Sequence, residues 1–369
     1  MADTYQVLFG DPPQAAAASF YDTLQSLEVE ENADLPGAIQ FVVPVVAQGS
    51  TGSEDLSNVG DSRFAPYARV AVVATADGAR GACIFDGHVL SHKIHVDRGT
   101  THATLQVWGQ DVTCAMNVKE TVKEWNKTDG EVANEIFGNY SHSTVAANTQ
   151  NDSPRHESSK HTLMQRGTDA QFLRDLARRN GKLFRVACTE QAGRNTGYFI
   201  KPKLDDEPSA TLTLNPPGSA TVDALTFEWD VARPSRALAQ VLIDTKDPEK
   251  KDITDSGLST LDQRSLGDFV SDSKYRMEAR ITSAVDSSGE LQTRAESLLR
   301  EAGWFVKCEG EADLSRVRTV LRVGTVVRIN GAGRMHSGKY YVWSVRHTIS
   351  ATAHRMKFVL LRNAVGRAS

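Results

Sequence analysis

The sequence contains few cysteines, and they lie far apart. Its 369 residues include Cys83, Cys114, Cys188 and Cys308, and none of them belongs to a Cys-x-x-Cys pair. Zinc sites and disulfide frameworks both depend on closely or regularly spaced cysteines. Free cysteine, by contrast, is among the residue types most often buried in a core. We therefore expect four buried thiols in a reducing compartment and no metal site built from cysteine.

The sequence also lacks long apolar runs, a basic leader and a strong net charge. No stretch approaches the roughly 20 apolar residues that a membrane-spanning helix needs, and residues 1–10 include no lysine or arginine. The formal net charge of -4 at pH 7 gives no electrostatic reason to track a nucleic-acid backbone. We expect no secretory signal, no membrane insertion by this chain and no direct nucleic-acid readout.

Both ends of the chain read as β structure. A chain of this length exceeds the size at which a single core keeps growing, so two or more domains are expected. Residues 5–9, 27–30, 39–45, 67–74, 84–96 and 101–109 form short runs of largely alternating apolar and polar side chains. Such closely spaced runs are typical of a sandwich or barrel. A polar insert, residues 48–63, interrupts them.

Residues 323–363 predict three consecutive strands joined by glycine-rich turns. Strict alternation in the second strand predicts two faces, one with Tyr341, Trp343, Val345 and His347 and the other with Tyr340, Val342, Ser344 and Arg346. The pattern of a strand, a long glycine-led strand ending near a histidine, and a closing strand also occurs at residues 69–73, 87–92 and 103–107. The two patterns suggest an internal duplication.

The middle of the chain predicts helices. Thr128 and Glu131, and again Thr168 and Gln171, have the spacing of a capping box ahead of an amphipathic stripe. Gly181 is placed to end the second of these helices. A third helix is expected over residues 290–302, after a cap at Ser287 or Ser288. Residues 141–160 predict a linker or exposed loop, and residues 244–272 a long charged excursion.

No motif nominates catalytic, cofactor-binding or metal-binding residues. His88, His92 and His95 lie in a predicted strand, where four residues span about 13 Å, so they cannot converge on one ion. Gly331-Ala-Gly333 lacks the third glycine of a dinucleotide fingerprint. Gly60-Asp-Ser62 lacks the strand-to-helix turn that exposes a nucleophilic serine. No catalytic residue, cofactor or metal is therefore predicted.

Two segments carry a resemblance to a known family. One is the strand Gly338-Lys-Tyr-Tyr-Val that leads to His347, followed by a final amphipathic strand. The other is a strand, a polar turn and a helix in which the matching residues are Asp169, Phe172, Leu173, Leu176, Ala177 and Gly181. The chain resembles the tail hub proteins, which include late-control D proteins, the T-even phage hub and the hub part of VgrG proteins.

The resemblance implies an α+β, mainly β fold with two tail-tube-like antiparallel β-barrels joined by a smaller α/β part. We expect the first barrel at residues 1–112, the α/β connection at 113–200, the second barrel at 201–243 and 276–366, and a charged loop or insert at 244–275. The resemblance also implies a non-enzymatic homotrimer that forms a baseplate hub. Its implied partners are an inner tube protein or tube adaptor, a spike protein and baseplate wedge proteins.

The resemblance further implies synthesis in a bacterial cytoplasm and incorporation in a phage virion or contractile injection particle. Because the sequence ends at Ser369, just after the last predicted strand, we expect the spike to be a separate chain. The candidate interface residues lie in the two inserts and on the carboxyl-terminal strands: Asp55, Asp61, Arg63, Asp247, Glu249, Lys250, Lys251, Arg328 and Arg346. Ordinary solvated loops remain an alternative for both inserts.

Two other functions stay open at this point. A hub-like hydrolase that degrades cell walls would use acidic residues among 205–207 or 244–272. An isolated carbohydrate-binding β protein would remain a monomer.

Overall fold

The computed structural model describes residues 4–45, 47–48, 55–76, 79–96, 103–141, 145–157, 162–241, 249–271, 274–282, 285 and 287–366. The prediction of a mainly β protein with large antiparallel sheets is confirmed. The elements of the first segment are β1 (Thr4–Phe9), β2 (Gln14–Ala15), α1 (Ala18–Thr23), β3 (Ser26–Asn32), β4 (Ala38–Pro44), β5 (Ala47–Gln48), β6 (Asp55–Leu56), β7 (Arg69–Thr75), β8 (Ala82–His95) and β9 (Thr104–Asp111).

Six of these strands form what we call the first β unit: β1, β3, β4, β7, β8 and β9. They lie in the antiparallel order β1-β7-β8-β9-β4-β3. Alternation places Leu27 and Val29 of β3, and Ile39 and Phe41 of β4, in one buried cluster. Each such side chain contributes about 1.5–3 kcal/mol when it leaves water. This burial is the main reason that the alternating segments form strands here.

The connecting part follows, with elements β10 (Glu120–Trp125), α2 (Asp129–Gly138), β11 (Val145–Thr149), β12 (Leu163–Thr168), α3 (Asp169–Arg179), β13 (Leu183–Cys188) and β14 (Asn195–Ile200). Both predicted capping boxes are present. In the first, Thr128 Oγ1 accepts a hydrogen bond from Glu131 N while Thr128 N donates to Glu131 Oε2 at 3.0 Å. Gly181 has φ +58°, the left-handed conformation predicted for the end of α3.

One element of the connecting part contradicts the predicted loop over residues 141–160. Residues 145–149 form β11, which pairs in parallel with β14. Only Val145 of this strand is buried, so its sequence carries almost no apolar alternation. The backbone hydrogen bonds offered by β14 determine this strand, and a local pattern could not reveal them.

The third segment has the elements β15 (Thr211–Thr213), β16 (Val222–Trp229), β17 (Arg236–Val241), β18 (Glu249–Ile253), β19 (Arg264–Ser265), α4 (Leu266–Phe269), β20 (Glu278–Ile281), α5 (Ser288–Ala302), β21 (Val306–Asp313), α6 (Leu314–Val317), β22 (Val326–Asn330), α7 (Gly333–His336), β23 (Gly338–Ile349), β24 (His354–Arg362) and β25 (Ala364–Val365). We define the second β unit as β15, β16, β21, β22, β23 and β24. A large cluster of buried side chains, including Val327, Tyr340 and Phe358, forms its core.

Strands β17, β18 and β20 form a separate sheet with a core of its own. Strand β17 pairs with β18 and β20, and helix α5 packs on this sheet through Leu291 and Ala295. The predicted helix is confirmed, including its cap at Ser287. The sequence, however, places β17, β20 and α5 within the second barrel and residues 249–253 in a charged loop. Alternation marks β17 as a strand but does not say which sheet it joins.

The two β units have the same strand order. If the six strands of each unit are numbered along the chain, both lie in the order 1-4-5-6-3-2: β1-β7-β8-β9-β4-β3 and β15-β22-β23-β24-β21-β16. They differ at the first strand, since β1 is antiparallel to β7 whereas β15 is parallel to β22. The repeat suggested by the sequence therefore extends from three strands to six.

The correspondence includes an irregularity of the backbone. The fifth strand of each unit has a β-bulge against the sixth, at Leu90 in β8 and at Trp343 in β23. Just before the bulge, Val89 accepts a hydrogen bond from Tyr67 N, and Val342 accepts the equivalent bond from Gly324 N. Tyr67 and Gly324 both have positive φ, +62° and +86°. The two units thus repeat the same local backbone path with different side chains.

Because of the bulge, the two faces of β23 differ from those predicted by strict alternation. Tyr340 and Val342 are buried before it, and Val345 and His347 are buried after it. Residues that strict alternation assigns to opposite faces therefore share the core. An extra residue at Trp343 shifts the alternation by one position, which a repeating pattern cannot reveal.

Candidate assembly interface

Pairing between β3 and β23 joins the two β units into one sheet, which has 13 strands among the described residues. The first half of β23 pairs with β22, and the half after the bulge pairs with β3. Arg346 lies opposite Glu30 in this register, and their side chains form an exposed ion pair at 2.9 Å. We call this pairing the internal junction.

Under the internal junction lies a buried polar cluster. Arg322 Nε contacts Glu31 Oε1 at 2.8 Å, and Arg322 Nη2 donates to the carbonyl of Cys188 at 3.0 Å. His347 Nε2 lies 3.4 Å from Glu31 Oε1. Burial acts to raise the pKa of Glu31, but Arg322 and His347 outweigh it, so the pKa is lowered. One guanidinium therefore connects the first unit, the second unit and the connecting part.

His354 completes the cluster from β24. Its Nε2 lies 3.0 Å from Nδ1 of His347, and both rings are buried. Burial lowers the pKa of His354 to about 3, and the electrostatic effect of the neighbouring His347 ring lowers this pKa further. Asp313 acts weakly in the opposite direction. His354 is therefore neutral in the folded protein at neutral pH.

Because His354 is buried in its neutral form, we expect the free energy of unfolding to decrease in acid. Its folded pKa lies below the ordinary value of about 6.5, so the unfolded chain binds the proton first as the pH falls. The contribution to stability is complete above about pH 6.5 and is lost toward pH 3, at about 1.4 kcal/mol per pH unit. We expect His354→Gln to flatten the pH dependence of the free energy of unfolding between about pH 7 and pH 5.

Urea unfolding at several pH values measures this dependence. His88→Gln is the matched control, because His88 lies outside the cluster and contacts the carbonyl of Tyr67. An unchanged slope in His354→Gln, with the same slope in the control, would show that His354 does not cause the acid sensitivity.

Two strand edges in the described chain lack a counterpart of the internal junction. Among the described strands, β16 pairs only with β21 and ends the 13-stranded sheet, and its Trp229 is 52% exposed. Residues 91–94, after the bulge of β8, pair with β9 and with no other described strand. In the second unit, the equivalent half of β23 is covered by β3. Exposed edges of this kind are templates for pairing with another chain.

The sheet face opposite the two cores is polar. Its polar members are alternate residues of the strands that run from β16 to the end of β8: Thr226, Glu228, Glu309, Glu311, Lys357, Arg355, Arg346, Thr348, Glu28, Glu30, Gln40, Gln106 and Lys93. Trp108, Val42 and Val359 lie on the same face among them. Charges of both signs alternate here, as in the pair Arg355–Glu311 at 3.3 Å. Such a face suits water or a hydrated passage.

The candidate residues of the first insert are mostly engaged within it. Asp61 and Arg63 form an ion pair, and this hydrogen bond lowers the pKa of Asp61. The guanidinium of Arg63 also lies over the ring of Phe64, 5.4 Å from its centroid. Asp55 pairs with Gln48 through the backbone of β5 and β6.

The other candidate residues are dispersed. Asp247 lies outside the described residues, while Glu249, Lys250 and Lys251 lie in β18 and pair with β17. Arg328 is exposed on β22, and only Arg346 lies at the internal junction. Their role as contacts stays a prediction. The open edges of β8 and β16 were not predicted, although the repeated pattern around residues 87–92 and 338–347 was an available signal.

The sequence predicted no catalytic or metal-binding residue, and the structure places the residues that were considered for such roles as follows. His88, His92 and His95 lie on β8, as predicted for a strand. Within the described ranges, no cluster of three or more His, Cys, Asp or Glu side chains is placed to hold a metal ion. Asp205 accepts a hydrogen bond from Ser259 Oγ at 3.0 Å on the exposed surface. The four cysteines are buried and unbridged, which confirms the predicted core thiols.

One described cleft has a volume of about 510 Å³ and lies between the connecting part and the second β unit. Its lining includes Lys182, Glu228, Trp304 and Trp343. Trp304 is buried and stacks on Tyr341 at 5.6 Å, so it presents little aromatic surface to the cleft. In the part of the chain that the structure describes, no helix is both long and apolar enough to cross a bilayer.

Comparison with known families and structures gives a consistent fold. The model of the family described as the Alg8 N-terminal domain matches residues 19–351. No curated protein matches the sequence. Among solved structures, a tail protein from Neisseria meningitidis is similar with a TM-score of 0.65 and 13% identity, over 98% of this chain and 97% of that one.

Two further solved structures are similar over nearly the whole chain. The 43 kDa tail protein of prophage MuSo2 from Shewanella oneidensis has a TM-score of 0.64 and 13% identity, over 99% of this chain and 100% of that one. The Escherichia coli c3393 protein, described as a component of the type VI secretion system, has a TM-score of 0.54 and 12% identity, over 100% and 78%. At these identities the comparisons establish a shared fold.

Proposed function

The chain belongs to the family of the Alg8 N-terminal domain, and from this premise we propose that it is the structural hub of a contractile tail or injection-system baseplate. Three copies form a ring with near-sixfold symmetry. The ring joins a sixfold inner tube on one side to a threefold spike on the other. The protein acts mechanically, without catalysis, as part of a virion or injection particle.

The observation that carries this proposal is the strand order shared by the two β units. Each unit has six strands in the same spatial order and a bulge at the same place. Three chains therefore contribute six similar units, which can face a partner of sixfold symmetry. The ring contains three identical chains, so its exact symmetry is threefold and matches a threefold partner.

The polar sheet face supports the same role. It runs along the eight strands β16, β21, β24, β23, β3, β4, β9 and β8, opposite both hydrophobic cores. In a ring this face would line the central passage, where alternating positive and negative side chains keep the wall hydrated. The shared fold with phage tail proteins also favours a tail component.

The partners follow from the position of such a ring. One side contacts the inner tube protein or a tube adaptor, the other side contacts the spike, and the periphery contacts baseplate wedge proteins. The pair β5 and β6 and the sheet of β17, β18 and β20 are separate from the sheet of the two β units and are the candidate surfaces for these contacts.

The mass of the purified chain in solution tests the proposal. A trimer has three copies of the 40.3 kDa chain, or about 121 kDa. Native mass spectrometry or light scattering over a range of concentrations is expected to show this species. A single-copy mass at every concentration, with or without tube and spike proteins, would contradict the hub and favour a monomeric binding protein.

A further inference from the structure

We infer that, in the proposed ring, residues 91–96 of one copy pair antiparallel with residues 225–230 of the next copy, with Lys93 opposite Glu228. This junction between copies would repeat the internal junction between β23 and β3. The inference rests on the proposed ring, but it adds the strands, the register and the residue pairs.

The correspondence begins at the two bulges. Aligned at Leu90 and Trp343, the outer half of β8 matches the half of β23 that forms the internal junction. The matching residues are Ser91 and Ser344, His92 and Val345, Lys93 and Arg346, and Ile94 and His347. The partner strand of β23 at the internal junction is β3, so the strand that would pair with β8 is the equivalent of β3.

That equivalent is β16. Both β3 and β16 are the second strand of their unit, and each pairs with the third strand, β4 or β21. From the bulge in β8, the pairing registers lead through β9 and β4 to β3; from the bulge in β23, they lead through β24 and β21 to β16. Residues at equal positions along these two routes are Leu27 and Leu225, Val29 and Phe227, and Glu30 and Glu228. Strand β16 is an edge of the described sheet, so it is available for this pairing.

The register between β23 and β3, applied to β8 of one copy and β16 of the next, predicts the residue pairs between copies. Arg346 lies opposite Glu30, His347 opposite Val29, and Ile349 opposite Leu27. The corresponding pairs between copies are Lys93 with Glu228, Ile94 with Phe227, and Val96 with Leu225.

The chemistry of these pairs is complementary. Lys93 and Glu228 have opposite charges, like Arg346 and Glu30 at the internal junction. The other two pairs are apolar and fall on the same side of the sheet as the cores. The register follows from the two bulges and from the strand pairing within the chain, so it does not depend on the chemistry of these side chains. Opposite charges and apolar pairs across strands each add about 0.2–1 kcal/mol.

Exposure in the single chain agrees with a covered position in the ring. Val96 is 49% exposed, whereas its counterpart Ile349 is 2% exposed beside β3. Trp229 of β16 is 52% exposed, whereas its counterpart Glu31 of β3 is 7% exposed. Pairing of the two edges would bury both apolar side chains and satisfy the open backbone groups of both strands.

The junction is heterologous, so it can be repeated around a closed ring. The second strand of each unit pairs with the fifth strand of the next, within a chain through β3 and β23 and between chains through β16 and β8. Three copies with eight strands each would form a continuous wall of 24 strands. The open edges of the single chain disappear in this arrangement.

Cysteine cross-linking tests the register. In Lys93→Cys/Glu228→Cys, oxidation of the full-length chain is expected to give covalent dimers and trimers on a non-reducing gel. The four natural cysteines are buried and provide little background. The matched control Lys93→Cys/Phe227→Cys moves one cysteine by a single residue to the other face of β16, and it is expected to stay uncoupled.

Charge reversal provides the second test. Lys93→Glu and Glu228→Lys are each expected to weaken trimer formation at least tenfold in sedimentation, while the combined variant restores it. Both positions are exposed in the single chain, so far-ultraviolet circular dichroism should not change.

The outcomes separate the two proposals. Trimers that form without the Lys93–Glu228 cross-link, or that cross-link equally well in the shifted control, overturn the junction while the hub remains. Failure of the combined charge variant to regain assembly also overturns the register. A chain that stays monomeric under all conditions overturns both the junction and the hub.

Discussion

Replacement of Arg322 by methionine is expected to lower the free energy of unfolding by about 3–5 kcal/mol, because it leaves the buried carboxylate of Glu31 without its cation. The guanidinium donates to Glu31 at 2.8 Å and to the carbonyls of Cys188 and Thr189 at 3.0 and 3.3 Å. Methionine retains much of the apolar stem, so the change removes mainly charge and hydrogen bonds. Chemical denaturation followed by tryptophan fluorescence measures the loss.

Arg346→Met is the matched control for this prediction. Arg346 also joins the two β units, by its ion pair with Glu30 at 2.9 Å, but its side chain is 52% exposed. Exposed ion pairs contribute about 0–1 kcal/mol, so this variant should retain nearly all of the stability. Equal effects at both positions would show that burial does not decide the strength of these contacts.

Phe41→Ala is expected to cost about 3–5 kcal/mol of stability, because it opens a cavity in the core of the first β unit. Phe41 has no exposed surface and contacts the rings of Phe9, Phe20 and Phe64, with centroids 6.4, 6.2 and 5.4 Å away. Phe9 belongs to β1, Phe20 to α1, and Phe64 to the turn that follows the insert. Their shared contact therefore holds α1 and the turn at Phe64 against the sheet, and urea unfolding should show the loss.

Trp108→Ala removes an aromatic side chain from the opposite face of the same sheet. Trp108 is 38% exposed and pairs across the strands with Gln40, the residue that precedes Phe41 in β4. We expect a change within about 0.5 kcal/mol, as for surface substitutions away from specific contacts. A loss as large as that of Phe41→Ala would mean that the core does not lie on the side of the sheet described here.

Local signals in the sequence predicted the elements that depend on local interactions. The capping residues Thr128 and Thr168 mark the starts of α2 and α3, because the same residues supply the hydrogen bonds that begin each helix. Leu27 and Phe41 mark buried strand faces through simple alternation. These effects involve residues a few positions apart, so a single sequence contains them.

Features that depend on distant partners were not predicted. The extra residue at Trp343 reverses the alternation of β23, and β11 exists because β14 offers it a partner. The assignment of β17 to its own sheet likewise depends on β18 and β20. Among the candidate interface residues, Arg346 lies at the internal junction, and its role as a contact with another chain stays a prediction. The edge of β16 was not found, because an open edge is defined by the strands around it.

An end-on image of the assembled ring tests the central claim most directly. The account predicts three chains that present six similar β units around one passage, with successive units related by a rotation of about 60°. It also predicts that the β16–β8 contact between chains resembles the β3–β23 contact within each chain. A ring in which the two units of a chain occupy different radii or face different directions would contradict it.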